Sequence, residues 1–330
     1  MEYRTLGGTG LRVSKIGFGA ATVGNEYGLV DPAEIQRAVH YAIDEGINIF
    51  DVAPYYGRTL AETRLGECLR GRRHQVILAT KCARYGKEEF DFSAARIMRS
   101  VDESLKRLQT DYLDIFHVHD IEFGHREQII QESLPAMRKI QESGKARFIG
   151  ITGLEVVMLR EVAEAFPVDC MLSYCRYTLL NTDLDEVLAP FCRATGIGLM
   201  NASPLHMGLL TNTPGPPWHP AHRKIKEAAQ KVAEFCRSRG LEVSEVALGF
   251  AANHPDVACT FSGISTVEEA KQNIRAVERA PDPELLAQIA QITAPVKRMI
   301  WPSGLKENWD PMTVPYGEED LVQQAYPAQR

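Results

Sequence analysis

The apolar residues of this chain fall into two kinds of segment that alternate along it. Segments of the first kind are short and almost continuously apolar, which is typical of parallel strands buried on both faces. They lie at 15–20, 48–53, 76–81, 112–119, 146–152, 168–174, 198–203 and 258–264. Segments of the second kind repeat their apolar residues at the spacing of one helix face. The pattern predicts eight strands with at least one helix between each strand and the next.

The first predicted helix has recognisable ends. Pro32 suits its first turn because a helix makes no use of the amide that proline lacks there, and Asp31 can cap the free amides. Gly46 is the residue type at which helices often stop. The apolar face has the spacing i, i+3, i+4, i+7 and i+8, at Ile35, Ala38, Val39, Ala42 and Ile43.

Three segments interrupt the alternation. Residues 2–16 read as two short strands about the turn Gly7-Gly8-Thr9-Gly10, so we expect a hairpin that forms a lid. The segment 206–222, rich in Pro and Gly, and the tail from about residue 295 are long enough to be functional or disordered. The tryptophans in these last two segments could stack on a flat ligand or anchor the chain, and they are Trp218, Trp301 and Trp309.

Eight strands with helical crossovers favour one α/β domain, a (β/α)8 TIM barrel. We assign residues 1–300 to the barrel and residues 301–330 to a C-terminal tail that packs near the barrel mouth or is partly disordered. The alternative is a doubly wound sheet, which requires GxGxxG after the first strand. The run that starts Gly17-Phe18-Gly19 lacks the third glycine, and Gly8-Thr9-Gly10 precedes the strand.

Composition narrows the class of protein and its partners. The chain has 330 residues, of which 45% are hydrophobic and 24% charged, as in ordinary soluble globular proteins. A net charge of -6 argues against a nucleic-acid partner. Seven cysteines without a CxxC pair fit reduced thiols, and no segment resembles a signal peptide or a membrane span. We therefore expect a cytoplasmic protein, a monomer or weak homo-oligomer, that does not bind membranes.

Polar residues occupy the carboxyl ends of the second, third and fourth predicted strands. They are Asp51 with Tyr56 beyond it, Lys81, and His119. In a (β/α)8 barrel these ends meet at one mouth, where active sites lie. A lysine there would neutralise the buried carboxylate and favour the phenolate form of the tyrosine, so that the tyrosine could exchange protons near neutral pH. With a histidine to orient the reacting oxygen, the set suits carbonyl reduction or its reverse.

Each of these residues also has a structural interpretation. A tyrosine beside a proline turn, such as Tyr55 or Tyr56, is more often a packing residue, and a lone strand-end lysine is usually solvated. His117 and His119 lie on one strand face by the period of two, so both could point into the barrel. Such a pair could instead bind a metal ion for hydrolysis, although the later strand ends offer few further ligands besides His206.

The spacing Asp51-x-Ala53-x-x-Tyr56-Gly57, followed by Thr80-Lys81 and by Leu113-Asp114 leading to His119, resembles the catalytic tetrad of the aldo-keto reductases. The resemblance runs from the N-terminal hairpin to about residue 300. It implies a nicotinamide cofactor bound across the barrel mouth without a Rossmann fold. It also implies that Tyr56 is the proton donor or acceptor, that Lys81 and Asp51 tune it, and that His119 orients the substrate.

The same resemblance implies the positions that contact the cofactor. Thr152 and Tyr174 stand where relatives hold the nicotinamide, and Ala202 replaces the aromatic residue that usually stacks on it, so Tyr174 is our candidate for that ring. The remaining expected contacts are Ser203, Leu205, Gly208, Gly263, Ser265, Glu269 and Asn273.

The expected cofactor is NAD, with NADP possible. Members that use NADP carry a basic residue where this chain has Glu269, and a carboxylate would repel a 2′-phosphate but accept a hydrogen bond from a free ribose hydroxyl. The alternative is that Glu268 and Glu269 only complement a helix N-terminus. That alternative is less favoured for Glu269.

Less common motifs point to one branch of the family. GITGL at 150–154, LSYCRYTLLN at 172–181 and Trp301-Pro302-Ser303-Gly304 resemble dehydrogenases of L-galactose, L-fucose and D-threo-aldoses. This implies oxidation of C1 of the sugar to an aldonolactone, with NAD taking the hydride. An NAD(P)H-dependent aldehyde or pyridoxal oxidoreductase would share the tetrad, and a non-catalytic cofactor-binding subunit is a further alternative.

Overall fold

A closed barrel of eight parallel strands forms the centre of the computed structural model, which describes residues 1–213 and 215–313. Each strand lies on one of the predicted apolar runs, so the predicted (β/α)8 barrel is confirmed. The barrel strands are β3 Ile16–Gly19, β4 Ile49–Asp51, β5 Ile77–Cys82, β6 Leu113–Val118, β7 Ala146–Gly153, β8 Cys170–Tyr174, β9 Gly198–Ala202 and β10 Cys259–Gly263.

Helices follow the strands and cover the outside of the barrel. The first begins after the predicted cap, with the Asp31 side chain accepting a hydrogen bond from the amide of Ala33. Its predicted apolar face is buried except for Ile43, which is half-buried. The α-helices of the described residues are Pro32–Asp44, Leu60–Cys68, Ala94–Leu108, Arg126–Gln128, Leu134–Glu142, Val156–Ala165, Asp183–Thr195, Arg223–Ser238, Val243–Ala252, Val267–Val277 and Pro283–Thr293.

The inside of the barrel is apolar in its lower part and polar at its mouth. The lower part is a cluster that includes Ile49, Ala79, Ile115, Cys170, Leu172, Met200 and Phe261. Side chains alternate along a strand, so the residue two positions further on points into the barrel as well. These next positions toward the carboxyl ends are Asp51, Lys81, His117, Tyr174, Ala202 and Gly263. The alternation along the strands thus places four polar side chains, those of Asp51, Lys81, His117 and Tyr174, at one mouth.

The N-terminal hairpin closes the opposite end of the barrel. Its strands β1 Tyr3–Thr5 and β2 Arg12–Ser14 are antiparallel, as predicted. Leu6, Leu11 and Val13 join the apolar cluster inside the barrel, and the amide of Ser14 binds the side chain of Asn48, just before β4. The predicted lid therefore seals the amino-terminal end, away from the polar mouth.

The state of the cysteines and the length of the helices bear on two further expectations from the sequence. All seven cysteines are buried free thiols. Burial raises the pKa of the Cys68 thiol to about 11, with the nearby Glu67 charge adding to the effect. Within the two described ranges, no helix is long and apolar enough to cross a membrane.

Residues 301–313 return from the last helix and pack against the barrel. Trp301 is buried, and its ring meets those of His206 and His219 edge-on, at centroid distances of 5.4 and 5.2 Å. This tryptophan anchors the chain, in line with the packing interpretation. The rest of the predicted tail, residues 314–330, lies outside the described residues.

A buried arginine fastens this segment to the strand ends. Arg176, whose side chain is 0% exposed, forms ion pairs with Glu155, Asp183 and Asp310 at 3.1, 2.8 and 2.9 Å. Asp310 also accepts hydrogen bonds from the amides of Val156 and Val157, both at 2.9 Å, and so caps the helix Val156–Ala165. One cation therefore holds three buried carboxylates from separate parts of the chain.

Replacing that cation should destabilise the fold. Arg176→Met leaves the three carboxylates buried without compensation, and we expect the free energy of unfolding to fall by about 3–5 kcal/mol in urea denaturation at neutral pH. Arg193→Met is the matched control, because the pair of Arg193 with Asp256 is exposed on the arginine side, and it should cost less than about 1 kcal/mol. Equal effects of the two substitutions would contradict this account of the cluster.

Candidate active site

The centre of the mouth is a buried ion pair between neighbouring strands. Lys81 Nζ lies 2.5 Å from Asp51 Oδ2, and the two side chains are only 1% and 6% exposed. The ammonium group also donates to the carbonyl oxygen of Val52 at 2.9 Å. A charge buried this deeply requires a partner of opposite sign, so each of the two residues is needed to keep the other ionised in place.

The structure brings Tyr56 and His119 to this pair. Lys81 Nζ is 3.4 Å from the hydroxyl of Tyr56, which lies in the turn after β4. His119 is the first residue after β6, and its ring meets that of Tyr56 edge-on at a centroid distance of 5.8 Å. The four residues predicted as a tetrad thus lie together at the carboxyl ends of β4, β5 and β6.

The protonation of Tyr56 differs from the sequence-based expectation. Burial raises its pKa well above the usual value, and the negative charges of Asp51 and Asp120 add to the effect. Asp51 balances the charge of Lys81 at 2.5 Å, so little positive field remains to favour the phenolate. The predicted lowering of the Tyr56 pKa is therefore wrong for the chain alone, in which the residue is a neutral phenol.

Two histidines at the mouth are neutral: His117 lies on β6, and His119 follows the end of that strand. Burial, followed by the charge of Lys81, lowers the pKa of His117 and of His119 well below the usual value. The Nε2 atom of His119 lies 3.6 Å from Asp120 Oδ2, and its Nδ1 atom has no hydrogen-bond partner among the described residues. A neutral imidazole can donate one hydrogen bond and accept another, which suits it to hold a reacting oxygen.

The predicted nicotinamide contacts flank this group. Thr152 Oγ1 accepts a hydrogen bond from the amide of Asp120 at 3.1 Å and so fixes the loop that follows His119. Tyr174 is half-buried at the end of β8, with its hydroxyl 3.4 Å from Glu122 Oε1. Burial and the charge of Asp120 raise the pKa of Glu122 to about 8. This glutamate, absent from the sequence-based site, positions the tyrosine ring.

Three of the predicted cofactor contacts, Ser203, Leu205 and Gly208, lie in one tight turn after β9. Ser203 has a φ of 56°, and Gly208 has a φ of 96°. The amide of Ser203 donates to the carbonyl oxygen of Phe261 at 3.2 Å, and the amide of Gly208 donates to that of Leu205 at 3.1 Å. The turn is therefore tied to β10, next to the other predicted cofactor contacts.

The contacts predicted after β10 lie at the N-terminus of the helix Val267–Val277. Glu269 Oε2 accepts hydrogen bonds from the amides of Ser265 and Thr266 at 2.7 and 3.0 Å, as part of a capping box. The structure thus shows the capping role, which was the less favoured alternative for Glu269, and the contact of Glu269 with a ribose hydroxyl stays a prediction. Asn273 donates to the carbonyl oxygen of Gly263 at 3.4 Å.

A second carboxylate reaches the same helix N-terminus from elsewhere in the chain. Glu34 Oε1 accepts a hydrogen bond from the amide of Val267 at 2.9 Å, which lowers the pKa of this glutamate. Sequence spacing gave no signal for Glu34, because the contact joins helices far apart in the chain. Two carboxylates therefore occupy the amides of residues 265–267, at the start of this helix.

The alternative that His117 and His119 bind a metal ion would require further ligands nearby. Among residues 1–213 and 215–313, no group of three His, Cys, Asp or Glu side chains could hold a metal ion. His206, the additional candidate, is buried against the rings of His219 and Trp301 and bonds to Thr178 Oγ1 at 3.2 Å. It serves packing.

Known proteins resemble this chain over nearly its full length. A profile of the Aldo/keto reductase family matches residues 15–294. L-galactose dehydrogenase of Arabidopsis thaliana is 43% identical over 318 residues, which cover 93% of this chain and 99% of the relative. D-arabinose 1-dehydrogenase of Saccharomyces cerevisiae is 27% identical, with 90% and 93% covered.

A solved structure shows the same architecture. The holo form of aldo-keto reductase AKR11C1 from Bacillus halodurans has a TM-score of 0.76 and 27% sequence identity to this chain. The match covers 93% of this chain and 99% of the solved one. The similarity in sequence and in structure therefore includes both the barrel and its mouth.

The lowered pKa values of the two histidines can be measured directly. We expect the ring signals of His117 and His119 in NMR spectra to stay in the neutral form from about pH 8 down to about pH 5.5, an interval in which solvated imidazole changes its charge. The variants His117→Gln and His119→Gln assign the two signals, and free imidazole in the same sample is the reference. A His119 signal that moves together with the reference would contradict the neutral assignment.

Proposed function

The chain belongs to the aldo/keto reductase family, and we propose that it oxidises C1 of an aldose of the L-galactose type to the aldonolactone, with NAD as acceptor. The observation that carries the proposal is the 43% identity to a plant L-galactose dehydrogenase across 93% of the chain. The similarity to a yeast D-arabinose 1-dehydrogenase, also named for a sugar, supports the substrate class.

The residues at the mouth support the binding of a nicotinamide ring. The strands β3, β9 and β10 end at Gly19, Ala202 and Gly263, none of which has a side chain beyond Cβ. The ring of Tyr174 stands on the adjacent strand, where it can stack on a flat ligand. Residues that would contact the rest of the cofactor are Thr152, Ser203, Leu205, Gly208, Ser265 and Asn273.

The bound cofactor would accept the hydride that leaves C1. Tyr56 takes the proton of the C1 hydroxyl in oxidation and returns one in reduction, because its hydroxyl is the acid–base group at the centre of the mouth. His119, neutral, binds the same oxygen and orients it. Since burial raises the pKa of Tyr56, oxidation, which requires the phenolate, should accelerate as the pH rises.

The N-terminus of the helix Val267–Val277 supports NAD over NADP. Glu269 and Glu34 already accept hydrogen bonds from the amides of Thr266 and Val267, at the start of this helix. If the cofactor's ribose lies at this helix, as the resemblance to the family implies, an added phosphate would compete for those amides and meet two negative charges. A free ribose hydroxyl would meet neither obstacle.

The test of the proposed function is cofactor reduction, followed by absorbance, with L-galactose, L-fucose, D-arabinose and pyridoxal as substrates. NADP replaces NAD in a parallel series. We expect L-galactose to give the highest kcat/KM, and NAD to be used in preference to NADP. Turnover of pyridoxal with none of the sugars would overturn the proposal in favour of the aldehyde or pyridoxal alternative.

Removing the hydroxyl of Tyr56 should separate binding from chemistry. Tyr56→Phe keeps the ring and removes the proton, so kcat for the sugar should fall by about 10²–10⁴-fold while the affinity for NAD, measured by calorimetry, stays nearly unchanged.

The neighbouring tyrosine provides the control. The rings of Tyr55 and Tyr56 are 6.0 Å apart, and Tyr55→Phe removes the same atom from a residue with no assigned part in proton transfer. It should retain most of the turnover. Comparable losses in the two variants would count against Tyr56 as the acid–base residue.

A further inference from the structure

An ion pair beside His119 has no part in the proton transfer described above. Arg84 follows β5, Asp120 follows β6, and the guanidinium Nη1 donates a hydrogen bond to Asp120 Oδ2. The two side chains are 14% and 4% exposed. Ala83 and Asp120 have φ values of 74° and 49°. Left-handed backbone is uncommon outside glycine, and its presence at both loops indicates that the pair is held in place by its surroundings.

The surroundings of the pair are rigid. Arg84 lies 3.9 Å above the centre of the Tyr55 ring and 5.1 and 5.3 Å from the rings of Phe123 and Phe90. The amide of Asp120 is bound by Thr152. An arginine stacked among aromatic rings and a carboxylate fixed through its own backbone lose little freedom when a ligand binds.

Two buried nitrogen atoms at this ion pair and the adjacent histidine lack a hydrogen-bond partner in the described part of the chain. Arg84 Nε and His119 Nδ1 are buried and form no hydrogen bond with the described residues. Asp120 Oδ2 lies 3.6 Å from His119 Nε2, so a charged acceptor stands next to the histidine that would hold the reacting oxygen. Buried polar atoms without partners are costly, which indicates a group that a ligand completes.

We propose that Arg84 and Asp120 form a binding site for the hydroxyl on C2 of the aldose, the carbon next to the one that is oxidised. This inference rests on the proposed function, because it takes His119 as the residue that binds the oxygen on C1. The 3.6 Å between His119 Nε2 and Asp120 Oδ2 places the two groups side by side, so that hydroxyls on adjacent carbons of a sugar can reach one each.

The chemistry of the pair suits a hydroxyl. A hydroxyl donates one hydrogen bond and accepts others, so it can bind a carboxylate and a guanidinium at the same time. An aldehyde without a neighbouring hydroxyl would leave these charged groups without a ligand. Sites built to bind a hydroxyl strongly reject analogues that lack it. The pair would therefore select polyhydroxylated substrates over simple aldehydes.

The test compares two ligands on one protein. In the Tyr56→Phe background with saturating NAD, calorimetry gives Kd for L-galactose and for 2-deoxy-L-galactose. We expect the parent to bind L-galactose at least about tenfold more tightly, the effect of one hydrogen bond to a charged group. Asp120→Asn and Arg84→Met should each bring the ratio close to one. Because the ratio compares ligands on the same variant, a loss of folded protein cancels.

An exposed carboxylate supplies the control. Asp102, paired with Lys145 at 2.5 Å on the surface, is replaced in Asp102→Asn, which should keep the parent's ratio. A ratio near one in the parent, an unchanged ratio in Asp120→Asn, or no binding of either sugar would overturn the subsite. Failure of the proposed function is separate: the unmodified enzyme would then turn over no aldose, whatever the ratio of the two Kd values.

Discussion

The ion pair between Lys81 and Asp51 is the constraint on which the mouth of the barrel depends. An ammonium group inside a barrel is tolerated only with an anion in contact, and here Asp51, from the adjacent strand, lies 2.5 Å away. The contact fixes the end of β4 against that of β5, and with it the turn that presents Tyr56. His119, one residue beyond β6, then has a defined neighbour. The position of Tyr56, on which the proposed proton transfer depends, therefore follows from this ion pair.

The two ends of the barrel serve different purposes: one stabilises the fold, and the other carries the residues proposed for chemistry. Its lower part is filled by apolar side chains and closed by the hairpin residues Leu6, Leu11 and Val13. Its upper part carries polar atoms, among them Asp51 Oδ1 and His119 Nδ1, that have no hydrogen-bond partner among residues 1–213 and 215–313, as expected where a ligand binds. The segment up to residue 313 braces this upper part, because the Arg176 cluster ties Asp310 to the ends of neighbouring strands.

Much of this arrangement could be predicted from the sequence, and the reasons for the exceptions are physical. Strand periodicity and the spacing of Asp51, Tyr56 and Lys81 are local signals, so the barrel and the grouping of the tetrad were accessible. The direction of the Tyr56 pKa shift could not be predicted in this way, because it depends on burial and on the charges of Asp51 and Asp120. The contact between Arg176 and Asp310 joins residues 134 positions apart, which no spacing rule reveals. The capping role of Glu269 did have a signal, the Thr-x-x-Glu pattern that starts at Thr266.

The most direct test of the central pair is a double-mutant cycle on the free energy of unfolding. Asp51→Asn and Lys81→Met each leave one buried charge without its partner, and each should cost about 3–5 kcal/mol. The double variant leaves neither charge, so its loss should be clearly smaller than the sum of the two single losses. Losses that simply add would mean that the two residues do not stabilise each other and would contradict the account.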